Sequence, residues 1–323
     1  MTWKLFVSRL QEIAAIISLS AHFLLILLVL TKSPKKIGSY KYLMIYISIF
    51  EILYSINDVL IEPICFSYGS KSIFVVVVNT ENAYFNKDIC LILISTWGAF
   101  FGSFMGLFVL QFFYRYCVAS GSSLIKKSFQ SWRIVLWMSG PVFCGILWGL
   151  LTYFLLPPDE QIDEAIRDVL LVKFNWTIEQ ITYVGPYFHR NSENIHIPNA
   201  IGFLIMVMIM IASLLLITIF AIKCYQKMDD FTSLTSNRTK SLQFQLFYAL
   251  VTQTLIPLIL MHLPVLIFFI FTFSNIGLGN ASSIVSMTVA LFPALDPFPV
   301  MFIIKNYRNA IFDTLTKIFK RKP

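Results

Sequence analysis

Three carboxylates and two histidines stand in stretches otherwise fit for lipid: Glu51, Asp58 and Asp296, with His22 and His262. A carboxylate at membrane depth is costly, so it turns to the protein interior and takes a partner, and such residues commonly carry function. Glu51, Asp58 and Glu62 are spaced by seven and four, which sets them near one face of a helix. With Asp296 they read as a polar track through a bundle, a switch that binds a cation or changes protonation. The plainer reading is structural pairing. A lone intramembrane histidine suits a helix–helix hydrogen bond. His262 is the better ligand contact, because it lies between Pro257 and Pro264, where a helix should kink. Asp296 sits in Ala290-Leu-Phe-Pro-Ala-Leu-Asp-Pro-Phe-Pro299, where Pro293, Pro297 and Pro299 each remove a backbone donor. Neighbouring helices must satisfy the freed carbonyls. Pro257, Pro264 and Pro297 are the expected pivots.

A second constellation is aromatic. Trp97-Gly-Ala-Phe-Phe-Gly-Ser-Phe-Met-Gly106 carries Gly98, Gly102 and Gly106 at helical spacing, a stripe that lets another helix approach closely. Trp97, Phe101 and Phe104 beside it are candidate walls of a ligand cavity, although aromatic rows usually pack a core. No nucleophile–base pair stands out, and the five cysteines form no metal pattern. We therefore expect no enzyme activity, metal or cofactor.

The elements that position these groups follow from composition. The chain has 323 residues, 57% hydrophobic and 13% charged, where a soluble domain has about 25% charged. Mean hydropathy is +0.75. A helix crosses the bilayer in about 20 apolar residues. Seven stretches qualify, at 10–31, 42–63, 89–114, 134–156, 198–222, 245–272 and 282–304. They imply an all-α, seven-helix membrane domain spanning 1–323. Residues 305–323 form a tail whose Tyr307, Ile311, Leu315, Ile318 and Phe319 share one helical face beside basic residues, an amphipathic helix on lipid. The net charge of +8 is not a nucleic-acid signal, because the basic residues lie in short segments between apolar runs.

Eighteen of the 25 Lys and Arg residues fall on the side that holds the C-terminus, which places that end in the cytoplasm and the N-terminus outside. The long segment 157–197 is then outside. It holds Asn175-Trp-Thr177, a glycosylation acceptor, and Ile162, Ile166, Val169 and Leu170 at helical spacing, a short helix over the mouth of the bundle. The β-branched run Ile73 to Val78 suits a strand. Cys65 and Cys90 both fall outside, where an oxidising compartment permits a disulfide. The lysine bias opposes a seven-span ligand-gated channel with its N-terminus inside. The lack of an internal repeat opposes a transporter.

Several passages resemble the nematode serpentine chemoreceptors of the Str superfamily, a class that includes the diacetyl receptor. They are Ile49-Phe-Glu-Ile-Leu-Tyr-Ser-Ile-Asn-Asp58, Phe113-Tyr-Arg-Tyr116, Tyr183-Val-Gly-Pro-Tyr-Phe188, Ala221-Ile-Lys-Cys-Tyr225, the run Leu242 to Pro257, and Leu291 to Pro297 continuing to Arg308. The resemblance implies a G-protein-coupled, olfactory-type receptor in the ciliary membrane of sensory neurons, with a small odorant or soluble cue as ligand and a heterotrimeric G protein as partner. It carries over to Glu51, Asp58, Arg115, Pro257, Asp296 and Pro297. Arg115 also resembles the arginine that rhodopsin-like receptors keep after the third span for G-protein coupling. Here Tyr114 replaces its usual acidic neighbour.

Overall fold

The computed structural model describes residues 2–68, 73–80, 85–121, 127, 129, 132–187, 196–233, 237–274, 276 and 278–320. Seven helical segments in it are long and apolar enough to cross a membrane. The first four spans are α1 (Thr2–Lys32), α2 (Tyr40–Ile61), α3 (Lys87–Ala119) and α4 (Arg133–Leu155). A short helix, α5 (Glu160–Phe174), precedes the fifth span, α6 (Ile197–Ser233). The sixth is built in pieces: α7 (Asn237–Pro257), a π turn (Leu258–His262) and α8 (Leu263–Phe273). The seventh is α9 (Ser283–Leu295) and α10 (Pro297–Ile303), broken at Asp296. The tail is α11 (Lys305–Lys320).

Several helices extend beyond the expected spans. α1 starts at Thr2 rather than near residue 10, α3 runs to Ala119, and α6 reaches Ser233. The hydrophobic run measures the lipid-facing length, whereas backbone hydrogen bonding continues past it. Local chemistry sets some ends. Asn86 caps α3, its side chain accepting from the Ile89 amide at 2.9 Å. α2 stops where Glu62 turns left-handed (φ 44°) ahead of Pro63.

Among the described residues, three strands join the helices. β1 (Ile64–Tyr68), β2 (Ile73–Asn79) and β3 (Ile181–Val184) form an antiparallel sheet in that order, with Cys65 opposite Val76 and Val77 opposite Tyr183. Only the strand near 73–78 was expected from the sequence. Alternation along the strands divides the sheet in two. Phe66, Val75, Val77 and Tyr183 pack against Ile162, Ile166 and Leu170 of α5. Cys65, Val76, Val78 and Val184 join the core of the bundle. The sheet is thus a roof over one end of the helices, with α5 on top of it. Asp159 caps α5 through the Gln161 amide at 3.0 Å. The Tyr183 hydroxyl donates to Asp163 at 2.6 Å. Burial, and then the Asp163 carboxylate, push that phenol well above its usual range.

The glycine stripe of α3 faces α4. A Cβ on Gly102 would fall 2.7 Å from Trp148 Cβ, and one on Gly106 2.8 Å from Pro141 Cα. At the opposite end from the sheet, Ile304 is extended and breaks the chain into α11. Tyr307 of α11 is buried and bonds Ser33 at 2.7 Å, while Leu315 and Ile318 stay exposed. The expected Cys65–Cys90 bridge is not formed here. Both thiols are free and buried, and that of Cys90 points to the Phe85 carbonyl at 3.6 Å.

Candidate functional site

The carboxylates do not make one track. Seven residues of helix separate Glu51 from Asp58 by about 10 Å, and each finds its own partners. Asp58 accepts from the indole N–H of Trp97 at 2.8 Å, bridging α2 and α3. Glu62 lies past the end of α2, partly exposed. Glu51 and Asp296, both fully buried, face each other between the second and seventh spans. His22 of α1 completes that cluster. Its Nε2 is 2.6 Å from Glu51 Oε2 and 3.0 Å from the Pro293 carbonyl. Pro297 explains the second contact: lacking an N–H, it cannot serve the carbonyl four residues back. Gln253 of α7 donates its amide to Asp296. Four spans therefore meet in one buried polar cluster.

Among the described residues, two cavities border the candidate residues of the third span, apart from a more open groove between α3 and α4. The one under the sheet encloses about 70 Å³, with Trp97, Phe101, Trp148 and Phe269 as walls and Cys65, Val76 and Val184 as roof. The other, of about 230 Å³, lies between α3, α6 and the sixth span, beside His262 and the π turn. Phe101 stands between them, its ring centroid 5.1 Å from Trp148 and 5.0 Å from His262. Trp97, Phe101 and His262 thus line cavities. Phe104 does not: it is buried against Tyr54 and Phe292. One turn beyond Phe101 on α3, it faces the α2–α9 contact rather than α6.

Arg115 lies near the end remote from the sheet and is 4% exposed. It donates to Gln243 of α7 at 3.0 Å and lies 4.1 Å over the Tyr40 ring of α2. Nε and Nη2 are buried without partners. Two bends in the bundle fall at expected prolines: α7 ends at Pro257, and α10 starts at Pro297. Pro264 lies two residues past the π turn, inside α8. Asn175 is exposed at the C-cap of α5 with φ 56°.

Sequence reasoning missed the glutamines. Gln243 holds Arg115, Gln245 accepts from the Lys305 amide at 2.8 Å, and Gln253 holds Asp296. The available signal was three amides in one apolar helix, where each needs a buried partner.

The sequence profile of the family described as serpentine type 7TM GPCR chemoreceptor Str matches residues 7–312. The chain is 38% identical to the Caenorhabditis elegans protein named G-protein coupled receptor str-217, over 96% of this chain and 90% of that one. It is 29% identical to serpentine receptor class r-10 of the same nematode, over 87% and 83%. The fold is similar to that of squid rhodopsin, with a TM-score of 0.65 at 12% identity over 97% of this chain and 85% of the other. Seven membrane-length helices and this pattern of relatives agree: the chain is a multi-pass membrane protein of the Str family of serpentine seven-transmembrane G-protein-coupled chemoreceptors.

Proposed function

We propose that the protein is a chemosensory receptor that binds a small environmental molecule within the bundle and passes the signal to a heterotrimeric G protein. The sheet end, with the N-terminus and a glycan on Asn175, faces outside. The tail end faces the cytoplasm, and the membrane is the ciliary membrane of sensory neurons. Eighteen of 25 basic residues on the tail side support that orientation.

The observation that carries the coupling is how α7 is fastened. Three glutamine amides tie it to three elements: Gln243 to α3, Gln245 to the start of α11, and Gln253 to the seventh span. A neutral bond of this kind contributes about 0.5–1.5 kcal/mol net and one to a charged group about 1.5–3 kcal/mol. Gln243 accepts from a guanidinium and Gln253 meets a carboxyl group, so the set holds α7 by roughly 2.5–7.5 kcal/mol. Moving a two-state equilibrium from 1:99 to 99:1 takes about 5.5 kcal/mol, so a ligand favouring the released form has a barrier of suitable size. The π turn and Pro264 provide the bend about which α7 swings. Release of Gln243 frees another donor on Arg115, beside two that already lack partners. A guanidinium with spare donors suits the carbonyls or carboxylate of an incoming G-protein segment.

The test is nucleotide exchange on a purified G protein by the receptor in nanodiscs. Gln243→Leu should raise basal exchange several-fold, because it removes one tie, and Arg115→Ala should abolish exchange. Full exchange by the Arg115→Ala receptor would end this assignment.

A further inference from the structure

We propose that the cavity beside His262 recognises one chemical class: a compact, uncharged, apolar molecule bearing an O–H donor, in short a small alcohol or phenol, whose hydroxyl donates to His262 Nε2. The proposal builds on the receptor reading above and adds the ligand chemistry.

It starts from the imidazole. His262 Nδ1 lies 2.9 Å from the Pro257 carbonyl. A carbonyl only accepts, so Nδ1 carries the hydrogen, and in a neutral ring the other nitrogen is then a bare acceptor. That nitrogen, Nε2, is buried and has no partner, in a residue 4% exposed. Native structures rarely leave such an atom unsatisfied without a reason. The cavity that His262 lines holds about 230 Å³, room for on the order of eight water-sized groups at about 30 Å³ each.

The walls set the rest of the ligand. Met105, Phe108, Leu214, Ile217, Val251 and Leu258 are apolar. The two hydroxyls in the lining are committed to their own helices: Thr218 donates to the Leu214 carbonyl at 2.8 Å and Thr254 to that of Leu250 at 2.9 Å. An ion has no counter-charge in this lining, so a carboxylate or ammonium ligand meets only the desolvation penalty. Glu51, Asp58 and Asp296 are engaged elsewhere, by His22, Trp97 and Gln253. A ketone, ether or ester sets a second lone pair against Nε2, and a hydrocarbon leaves Nε2 unpaired.

The same ring is part of the bend. Its Nδ1–H holds the carbonyl at the start of the π turn, a feature frequent at functional sites. A hydrogen bond donated to Nε2 polarises the ring and alters the bond at Nδ1. Occupancy is thus linked to the bend in the sixth span. Ile222 and Leu255, in the same lining, are 54% and 45% exposed on the outer faces of α6 and α7, so the cavity opens between these helices toward lipid. The roof of sheet and α5 covers the other end of the bundle. Small alcohols partition into a bilayer and reach this opening directly.

The experiment uses full-length receptor in nanodiscs with matched probes: 1-hexanol and cyclohexanol against 2-hexanone and cyclohexanone. Binding is read from thermal shifts. The alcohols should bind on the order of 10–100-fold more tightly than the ketones. His262→Phe should remove that preference, and His262→Gln, which keeps an acceptor, should retain part of it. Equal binding of alcohols and ketones, no binding of either alcohol, or an undiminished preference in His262→Phe each overturns the proposal. Should the Phe variant fail to fold, ¹⁵N spectra of histidine-labelled parent decide. 1-Hexanol should move the Nε2 signal of an Nδ1–H tautomer, and an unmoved signal refutes the contact. Basal nucleotide exchange and its loss in Arg115→Ala are read without any ligand, so failure here is separable from failure of the receptor reading.

Discussion

The seam between α3 and α4 allows a prediction with its own internal control. Gly98 and Gly102 lie one turn apart on the same face of α3. An alanine Cβ at Gly102 would sit 2.7 Å from Trp148 Cβ and 2.9 Å from the Cys144 carbonyl oxygen, both rigidly placed by α4. At Gly98 the closest atom is Thr152 Oγ1 at 3.1 Å, a contact that needs only a few tenths of an ångström of give, with Oγ1 donating to the Trp148 carbonyl at 3.0 Å. Either substitution gives the helix the same propensity gain, about 1 kcal/mol, so their difference isolates the collision. Overpacking a closed contact costs about 1–3 kcal/mol. Gly98→Ala should therefore be neutral to mildly stabilising, and Gly102→Ala less stable than it by about 1–3 kcal/mol. At about 2 °C per kcal/mol for a chain of this size, the two melting temperatures should differ by roughly 2–6 °C. Cys90, Cys117 and Cys224 are free and buried, so a thiol-reactive dye reports the transition without added probes. A Gly102→Ala protein that melts with or above Gly98→Ala would show that the helices do not meet as described. It would also remove the reason for Trp148 to stand against Phe101 in the cavity wall.

Two further outcomes follow from particular side chains. At Asn175, φ is 56°, a conformation that costs other L-residues about 1–2 kcal/mol. On the proposed glycosylation, Asn175→Gly and Asn175→Gln should remove the same gel shift, while only the Gln variant loses stability; equal stabilities would argue against the left-handed cap. Asp58→Asn and Asp296→Asn keep side-chain volume but alter the partners of Trp97 and of the His22–Glu51–Gln253 cluster. Each should change basal or ligand-evoked nucleotide exchange at normal surface expression. Unchanged signalling in both would reduce these carboxylates to packing.

The seven spans were legible because a long apolar run has one main structural outcome in lipid. The short helix over 159–173 was legible from Ile162, Ile166 and Leu170, which do face the sheet. The sheet itself was not. β1 is five residues, and β3 is four, placed more than a hundred residues later; their pairing with β2 is a tertiary fact with little local signature. The same holds for the site. Period alone set Glu51, Asp58 and Glu62 on one face, but whether neighbours on a face share partners depends on the helices opposite. Trp97 reached Asp58, and His22 reached Glu51, from different spans. The aromatic row of α3 divided for a similar reason: Phe101 looks to α4 and the sixth span, Phe104 to the second and seventh.

The two histidines, isolated in sequence, complete the two broken spans, and they do so differently. In the seventh span Pro297 leaves the Pro293 carbonyl without its helical donor, and His22 supplies one from the first span. That break is latched to another helix, and Gln253 adds a second tie at Asp296. In the sixth span the Pro257 carbonyl takes the hydrogen of His262, five residues along the same chain. That bend is completed from within and is bonded to no other span through its imidazole. A hinge satisfied by its own helix can change angle without exposing a buried carbonyl, whereas the seventh span can straighten or rotate only by giving up the bond to α1. On the proposed receptor reading, this asymmetry favours α7 as the moving element and the seventh span as its fixed reference. The bonds that would oppose such a motion are those of the glutamine amides at positions 243, 245 and 253, each single and replaceable by another donor or acceptor.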